Sequence, residues 1–374
     1  MLPCLREMFE IPAEVAYLDS AAYSPMPHPV REAGLIGVAE KCLPWLRDRV
    51  ADTAVAERAR NAAARLIGAG GPDDIAVVSS ISHGIETAAR NVSVPKGSRI
   101  LHVVDEFPSL VRPFVRLAAE VGAIMEVVPR PADGDWEAAF LAAIHRPGAA
   151  PLAVVALTPA HWTDGTIIPL ERIAEAARAQ GAAVVVDATQ AAAAVVVDVA
   201  VLQPDFLAFP TYKWVLGPYS VAFLYAAPHR QQGRPLDENN FNRPGADFAA
   251  GARRYDKGER ADPAGIPMAA TAMEFILGLG VPQVAERLAF LGDDIAGRMT
   301  ELGLVVPPAA RRCGHILAAP LPGGEADRIA AALRAQDVHV SVRNGGLRVS
   351  PHLHVTDEDM ERFSTALRHA MGRN

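Results

Sequence analysis

A lysine and an aspartate occupy positions in this sequence where chemistry on a carbonyl group could take place. Lys213 is one of only four lysines, and it lies between a tyrosine and a tryptophan just past the apolar segment 206–209. Exclusion of water lowers the pKa of a lysine, and its neutral amine is then a nucleophile. A lysine on a surface turn, with its stem packed along the protein, would fit the same residues. Asp187 ends the β-branched segment 183–186, where parallel α/β sheets bind ligands.

The segment between Asp187 and Lys213 is long enough for one crossover and one further strand, so both residues can reach the same edge of a sheet. A cofactor aldehyde that a lysine holds as an imine needs a carboxylate on its pyridine nitrogen, which keeps the ring protonated and electron-withdrawing. Asp187 and Lys213 are the residue types that these two roles require.

Two motifs around these residues resemble the core of the class V aminotransferase family: V-D-A-T-Q at 186–190, and D-F-L-A-F-P-T-Y-K-W-x-x-G-P at 205–218. Members are pyridoxal-phosphate (PLP) enzymes of fold type I, and they include cysteine desulfurases, selenocysteine lyases, kynureninase-like enzymes, isopenicillin N epimerase-like proteins and transaminases. The Y-K-W-x-x-G-P form is most similar to the epimerase-like and lyase-like branch.

The resemblance covers the chain from Tyr17 to its last predicted helix and implies an α/β fold in two parts. A large PLP-binding domain, residues 14–280, is expected to contain a mostly parallel seven-stranded sheet. A smaller C-terminal α/β domain, residues 281–374, is expected to be joined by residues 1–13.

The resemblance also implies roles for individual residues around the cofactor. Lys213 would form the imine with PLP and, once the substrate displaces it, shuttle the proton at Cα. Asp187 would pair with the pyridine nitrogen, Gln190 would donate to the phenolic oxygen, and Phe107 would stack on the ring. Thr211 is a candidate for binding the phosphate.

A cluster of small hydroxyl residues follows the predicted strand Ile75–Val78 and precedes a helix that runs to about Asn91. Such a turn offers backbone N–H groups and hydroxyls to a phosphate, although a serine cluster is more often a helix cap. Ser82 and His83 match the family's phosphate turn, with a histidine in place of the usual threonine.

Two further loops carry aromatic or imidazole side chains after predicted strands. Phe107 stands where the desulfurase branch has a stacking histidine; phenylalanine can stack but cannot transfer protons, which argues against desulfurase-style proton handling. His161 and Trp162 resemble the Q-W pair of the epimerase-like branch, and the resemblance places one of them near the phenolic oxygen of PLP. A loop histidine and a packing tryptophan are the alternative.

Arg348, in the segment L-R-V-S-P-H, matches the arginine with which the family grips the substrate's carboxylate, a contact that a planar guanidinium makes in bidentate fashion. Strand alternation alone would leave Arg348 exposed. Tyr23 lies in a segment similar to the family's Y-L-D-x-A-A entry loop and is a candidate for the substrate pocket.

Residues 228–263 are rich in Gly, Pro, Asn, Asp and Arg, and a long irregular segment of this kind is usually functional or an interface. Residues 253–258 resemble the family's R-R-x-x-x-G segment, which in relatives reaches the cofactor phosphate of the neighbouring subunit. The resemblance therefore implies a homodimer with shared active sites and makes Arg254 a candidate phosphate ligand. The alternative is that these charged residues are a solvated run on the protein surface.

Composition narrows the remaining classes of function. The formal net charge of −7 gives no basic footprint for nucleic acid or a membrane surface. We find no apolar run of membrane-spanning length and no signal peptide, and we expect a cytoplasmic protein. Three isolated cysteines suggest neither a disulfide framework nor a metal site.

The leading hypothesis is a PLP enzyme that acts on an α-amino acid by transamination or by elimination of a group at Cβ. Epimerisation, as in isopenicillin N epimerase-like proteins, is the second hypothesis, and a non-catalytic PLP-binding sensor is the third. Desulfurases carry a reactive cysteine shortly before the arginine matched by Arg348. Residues 338–347 contain no cysteine, which disfavours persulfide chemistry.

Overall fold

Apolar strands packed between layers of helices form the core of this molecule. The computed structural model describes residues 1–373, except for the side chain of Arg49. The strands in this part of the chain are β1 (Ala16–Tyr17), β2 (Ile75–Val78), β3 (Arg99–Val103), β4 (Ile124–Val128), β5 (Leu152–Leu157), β6 (Ala183–Asp187), β7 (Phe206–Pro210), β8 (Ala222–Ala226), β9 (Leu317–Pro320), β10 (Val338–His339), β11 (Ser341–Arg343) and β12 (Gly346–Val349).

The helices form where apolar residues recur every three or four positions. In the described chain they are α1 (His28–Lys41), α2 (Arg49–Leu66), α3 (Ile81–Asn91), α4 (Pro108–Val121), α5 (Trp136–Ile144), α6 (Leu170–Ala179), α7 (Val199–Leu202), α8 (Gly265–Leu279), α9 (Val281–Glu301), α10 (Glu325–Arg334) and α11 (Asp357–Ala370).

Seven strands form one sheet in the order β2-β8-β7-β6-β5-β3-β4. β8 pairs antiparallel with β2 and β7, and the other neighbours are parallel. The prediction of a mostly parallel seven-stranded sheet is therefore confirmed. Every residue of β5, β6 and β7 is buried, as expected for strands covered by helices on both faces.

Alternate residues of the central strands pack into two different cores. Val184 and Val186 of β6 join a cluster that includes residues of α2, α5, α6 and α8. Val185 points to the other face and joins residues of α3 and α4. Side chains alternate along a strand, so the apolar residues of β6 pack against the helices on both faces of the sheet. These contacts fix the position of the carboxyl end of β6.

The C-terminal part has its own sheet and core. Its three strands follow the order β11-β12-β9, and a third cluster packs β9 and β12 against residues of α9, α10 and α11. β1 pairs in parallel with β10, and Ala16 and Leu18 lie in this same third cluster. We retain the two-domain division as a proposal, and we propose that the N-terminal segment joined to the small domain extends to Leu18.

Two details differ from the sequence-based prediction. The predicted strand 338–342 is two strands, β10 and β11, which belong to different sheets. The predicted strand 204–209 begins only at Phe206, because the side chain of Asp205 turns inward to accept a hydrogen bond from the N–H of Val184 at 2.7 Å. The capping box predicted for the last helix is confirmed between Thr356 and Asp359.

No single helix within residues 1–373 is both long and apolar enough to cross a membrane. α8 and α9 meet that criterion only jointly, across a bend of 79°. The three cysteines, Cys4, Cys42 and Cys313, are free thiols.

Candidate active site

The residues predicted to act together lie around the carboxyl ends of neighbouring parallel strands. Asp187 is the last residue of β6, Lys213 follows β7, and Phe107 follows β3. Parallel α/β sheets bind their ligands at this edge. The sheet topology thus brings these three positions to one side of the molecule.

Lys213 sits on a tight turn after β7. The N–H of Leu216 donates to the carbonyl of Lys213 at 2.9 Å, and the N–H of Gly217 donates to the carbonyl of Thr211 at 2.8 Å. A Cβ at Gly217 would lie 2.8 Å from the Cβ of Thr211, so glycine is required for this close approach. The turn fixes the point from which the lysine side chain extends.

The amine of Lys213 is held away from water, since the residue is only 7% exposed. Its Nζ lies 5.8 Å from the ring centre of Phe107 and 5.6 Å from that of Tyr212. Burial lowers the pKa of Lys213 to about 8, and the positive charge of Arg348 adds to this effect. A substantial fraction of the amine is therefore neutral and nucleophilic near pH 8.

Asp187 is buried, and its Oδ1 accepts a hydrogen bond from the N–H of Thr189 at 2.8 Å. Burial raises the pKa of Asp187, although Thr189 and the charge of Lys213 act in the opposite direction. A protonated pyridine nitrogen would supply the positive partner that a buried carboxylate requires. This part of the site fits PLP.

A cavity of about 310 Å³ opens beside Phe107 and the N-terminus of α3. Hydroxyl groups are concentrated in its wall, which also contains aromatic side chains. The lining residues are Ser79, Ser80, Ile81, Ser82, Phe107, Ser109, Thr189, Pro210, Tyr212, Tyr219, Ser220 and Val221. The hydroxyl of Thr189 is buried without a hydrogen-bond partner in the described chain.

The N-terminus of α3 has the geometry expected of a phosphate site. Ser80 caps the helix by accepting from the N–H of His83 at 3.2 Å, and Ser82 Oγ donates to Ser109 Oγ at 2.9 Å. His83 Nδ1 is hydrogen-bonded to Ser79 Oγ, while Nε2 is buried and has no partner among the described residues. Helix dipole, hydroxyls and an unpaired ring nitrogen together suit an anion, so Ser82 and His83 remain candidate ligands.

Arg348 is buried, with 1% exposure, which differs from the exposure that strand alternation alone suggests. Its Nη1 donates to the carbonyl of Trp162 at 2.7 Å, its Nε to Ser341 Oγ at 3.1 Å, and Nη2 lies 3.3 Å from Asp19 Oδ1. Burial lowers the pKa of Arg348 to about 10, so the side chain stays charged at neutral pH. Its position near Lys213 suits a carboxylate-binding role.

Of the predicted pair 161–162, only the tryptophan borders the site. His161 is fully buried: its Nε2 donates to the carbonyl of Val104, its Nδ1 is hydrogen-bonded to Thr163, and its ring stacks on Trp136. Both ring nitrogens are therefore already engaged within the protein. Trp162 packs edge-on against the ring of Phe107, at 5.4 Å between centroids.

Two polar side chains near Lys213 are held by hydrogen bonds to other residues of the protein. The hydroxyl of Thr211 is buried and donates to the carbonyl of Pro218 at 2.7 Å, which orders the lysine turn rather than presenting the hydroxyl to a phosphate. Gln190 donates through Nε2 to the carbonyl of Ala21, and its Oε1 accepts from Trp214. One N–H of the Gln190 amide remains for a ligand.

Tyr23 and Arg254 are the two candidates outside the cluster around Lys213. Tyr23 is 59% exposed, with its ring 6.2 Å from that of Tyr219, near the opening of the cavity. Arg254 donates to the carbonyl of Gly233 and lies over Phe248. The structure does not bring Arg254 to the Lys213 cluster within one chain, and its proposed role belongs to a neighbouring subunit.

Glu106 is a residue of the site that the sequence analysis did not select. It follows Asp105, which has a positive φ of 53°, and its Oε1 accepts from the N–H of Phe107 at 2.6 Å. Its Oε2 is buried with no partner among the described residues. Burial raises the pKa of Glu106 to about 8, with the charge of Asp187 adding to the effect. In the sequence, the only indication of Glu106 as a site residue is its position directly before Phe107.

A doubly covered parallel sheet with a buried lysine and a buried aspartate at its carboxyl edge is the arrangement of PLP-dependent enzymes of fold type I. The family model for aminotransferase class-V matches residues 16–373, and the chain belongs to that family. It is accordingly a PLP-dependent enzyme of the aminotransferase and lyase type.

Known proteins similar to this chain bear the names of different enzymes. The "uncharacterized aminotransferase YcbU" of Bacillus subtilis is 28% identical over 321 residues, which cover 81% of this chain and 80% of that protein. Isopenicillin N epimerase of Streptomyces clavuligerus is 26% identical over 356 residues, with 83% of each covered. The apo cysteine desulfurase of Thermococcus onnurineus has a TM-score of 0.86 and 22% identity, covering 100% of this chain and 99% of that one. This last likeness establishes the fold.

Proposed function

We propose that this enzyme binds PLP through Lys213 and acts on an α-amino acid, by transamination or by elimination of a group at Cβ. The observation that carries the proposal is the buried amine of Lys213, which lies close enough to Asp187 and Arg348 for both charges to act on it. PLP, when bound, supplies an electron sink for the negative charge that develops at the substrate's Cα.

Each side chain of the site would have a separate role in that reaction. Lys213 would hold the cofactor's aldehyde and then move the proton at Cα. Asp187 would keep a proton on the pyridine nitrogen, and Arg348 would bind and orient the substrate's carboxylate. Phe107 would cover one face of the cofactor ring and exclude water from it. Gln190 would hold the phenolic oxygen through its free N–H.

The phosphate would lie against the N-terminus of α3. Ser82 and His83 are the ligands that we propose within the chain, and the buried, unpartnered Nε2 of His83 supports this choice. We retain Arg254 as a ligand to the phosphate bound in the neighbouring subunit, and Tyr23 as part of the substrate's entrance.

A homodimer with shared active sites is the second part of the proposal. Its support is a stretch of apolar side chains on α1, the following turn and the start of α2, all exposed in one chain. They are Leu35, Ile36, Val38, Leu43, Trp45, Leu46 and Val50. Concentrations of exposed apolar residues of this kind mark protein interfaces. We also propose a cytoplasmic location, which the three free thiols support.

Persulfide chemistry at Cys313 is disfavoured by the burial of its thiol as well as by its position in the chain. Cys313 is fully buried, and burial raises the pKa of its thiol to about 12. A buried thiol of that pKa is not a thiolate nucleophile at neutral pH.

The test is the visible spectrum of the PLP-loaded protein before and after addition of a panel of amino acids. We expect a yellow band that one amino acid shifts, followed by release of an oxo-acid with or without ammonia. An unmoved band would support the sensor hypothesis, and inversion at Cα without an oxo-acid would support the epimerase hypothesis. Failure to take up PLP at all would overturn the assignment.

A further inference from the structure

A rigid hairpin carries Arg348 and a second arginine on one face. In the antiparallel pair of β11 and β12, Ser341 is opposite Arg348, and Arg343 is opposite Gly346. Residues two apart on a strand share a face, and diagonal neighbours across a pair lie roughly 7–8 Å apart. Arg343 and Arg348 are such diagonal neighbours, so their guanidinium groups leave the sheet on the same side.

The hairpin turn gives these arginines little freedom to move apart. Asn344 and Gly345 form the two-residue connection, with φ values of 46° and 73°. Positive φ at both positions of an Asn-Gly connection is the requirement of a type I′ turn, whose twist matches that of the flanking strands. The spacing between the two arginines is thus built into the backbone.

Both arginines contact Trp162, which borders the active site. Arg348 donates to its carbonyl at 2.7 Å, and the guanidinium of Arg343 lies 6.0 Å from its ring centre. The other ring contact of Trp162 is with Phe107, which lies beside the amine of Lys213. The charge of Arg343 is close enough to act on Lys213, in the same direction as that of Arg348.

The two arginines differ in their partners. Arg348 has the carboxylate of Asp19 at 3.3 Å. Arg343 has no carboxylate within ion-pairing distance in the described part of the chain; its Nη1 donates to the carbonyl of Val342 at 2.7 Å. A half-buried guanidinium supported by an indole ring keeps most of its donors free and pre-oriented.

We propose that Arg343 binds a second anionic group of the substrate, so that the enzyme selects α-amino acids with an acidic side chain, such as dicarboxylic amino acids. This inference rests on the proposed function, in which Arg348 takes the α-carboxylate. The side-chain carboxylate then reaches Arg343, whose planar fork matches it in bidentate fashion. Arg343 is a specificity-determining residue, and a neutral amide in place of the acid loses the charge-assisted contact.

The experiment measures equilibrium binding to the PLP-loaded enzyme by calorimetry, with the cofactor's absorbance as a second signal. The ligands are L-glutamate and L-aspartate, each compared with its neutral isostere, L-glutamine or L-asparagine. We expect the acidic member of at least one pair to bind about 10- to 100-fold more tightly. Arg343→Gln should remove this preference and leave the affinity for the amide unchanged, while Arg343→Lys should retain part of it.

Arg334→Gln is the matched control, because Arg334 is an exposed arginine at the end of α10. It should leave all affinities unchanged. Equal binding of acid and amide in the unmodified enzyme would overturn the inference alone, and so would an equal loss for both ligands in Arg343→Gln. Absence of binding by every amino acid would instead overturn the proposed function together with this inference.

Discussion

The indole N–H of Trp214 donates to Oε1 of Gln190 at 2.7 Å, in the buried layer behind Lys213. This hydrogen bond fixes which end of the Gln190 amide is the acceptor and therefore turns its N–H groups toward Ala21 and the site. His315 packs edge-on against the same indole and donates through Nε2 to the carbonyl of Gln190. Gln190 is thus held from two directions by residues outside the cavity.

Replacement of Trp214 by Phe tests this arrangement. The buried Oε1 of Gln190 would lose its donor, which costs about 1–3 kcal/mol of unfolding free energy. The amide would also be free to flip, and the phenolic oxygen of bound PLP would lose a fixed donor. We expect a pH titration of the cofactor's visible band to show a higher midpoint in the variant. Identical midpoints would mean that Gln190 does not contact that oxygen.

Lys213→Ala should abolish covalent attachment of PLP. Borohydride reduction of the loaded, unmodified protein should leave the cofactor on the peptide that contains Lys213, as detected by mass spectrometry. Lys96→Ala is the control, since Lys96 is exposed. Trapped cofactor at another lysine in the Lys213→Ala protein would show that this residue had been assigned wrongly.

Glu106 should make stability depend on pH in a direction opposite to that of most carboxylates. Its pKa in the folded protein, about 8, lies above the ordinary value of 4.5. A raised carboxyl pKa gives stability that is complete below the unfolded value and is lost as the pH rises through the folded value. Between pH 5 and about 9, the melting temperature of the unmodified protein should therefore fall relative to that of Glu106→Gln. Parallel curves would exclude a protonated Glu106.

Gly217→Ala should weaken both the fold and cofactor binding. The added methyl group would meet the Cβ of Thr211 at 2.8 Å, and overpacking of this kind costs about 1–3 kcal/mol. Gly278→Ala is the matched control, because no atom lies within 4 Å of its added Cβ and it lies in α8. That change should stabilise the protein by up to about 1 kcal/mol. Equal effects in chemical unfolding would contradict the role of the turn.

The sequence was sufficient to predict the residues that stand at strand ends. Asp187 and Lys213 follow apolar runs, and side-chain burial follows directly from the parallel sheet around them. Local patterns could not show which way a hydroxyl or imidazole would turn. The hydroxyl of Thr211 and Nε2 of His161 donate to backbone carbonyls, and Nδ1 of His161 is hydrogen-bonded to the hydroxyl of Thr163. The contact of His161 with Val104 depends on how distant segments pack.

Contacts between distant segments also could not be predicted from the sequence. Asp19 reaches Arg348 and Ser341 because β1 pairs with β10 in the C-terminal part, and no sequence motif predicts that pairing. The predicted strand 338–342 divides between two sheets for the same reason. Its first residues pair with β1, and its last residues pair with β12.

The pairing of β1 with β10 also has a consequence for biosynthesis. Ala16 is synthesised long before its partner Val338. Until then Ala16 and Leu18 have no core to enter, since their apolar neighbours are C-terminal. Contacts of such high sequence separation form late and slow folding. β1 can therefore dock only after β10 has been synthesised, and a nascent chain that has not reached Val338 must leave Ala16 and Leu18 undocked.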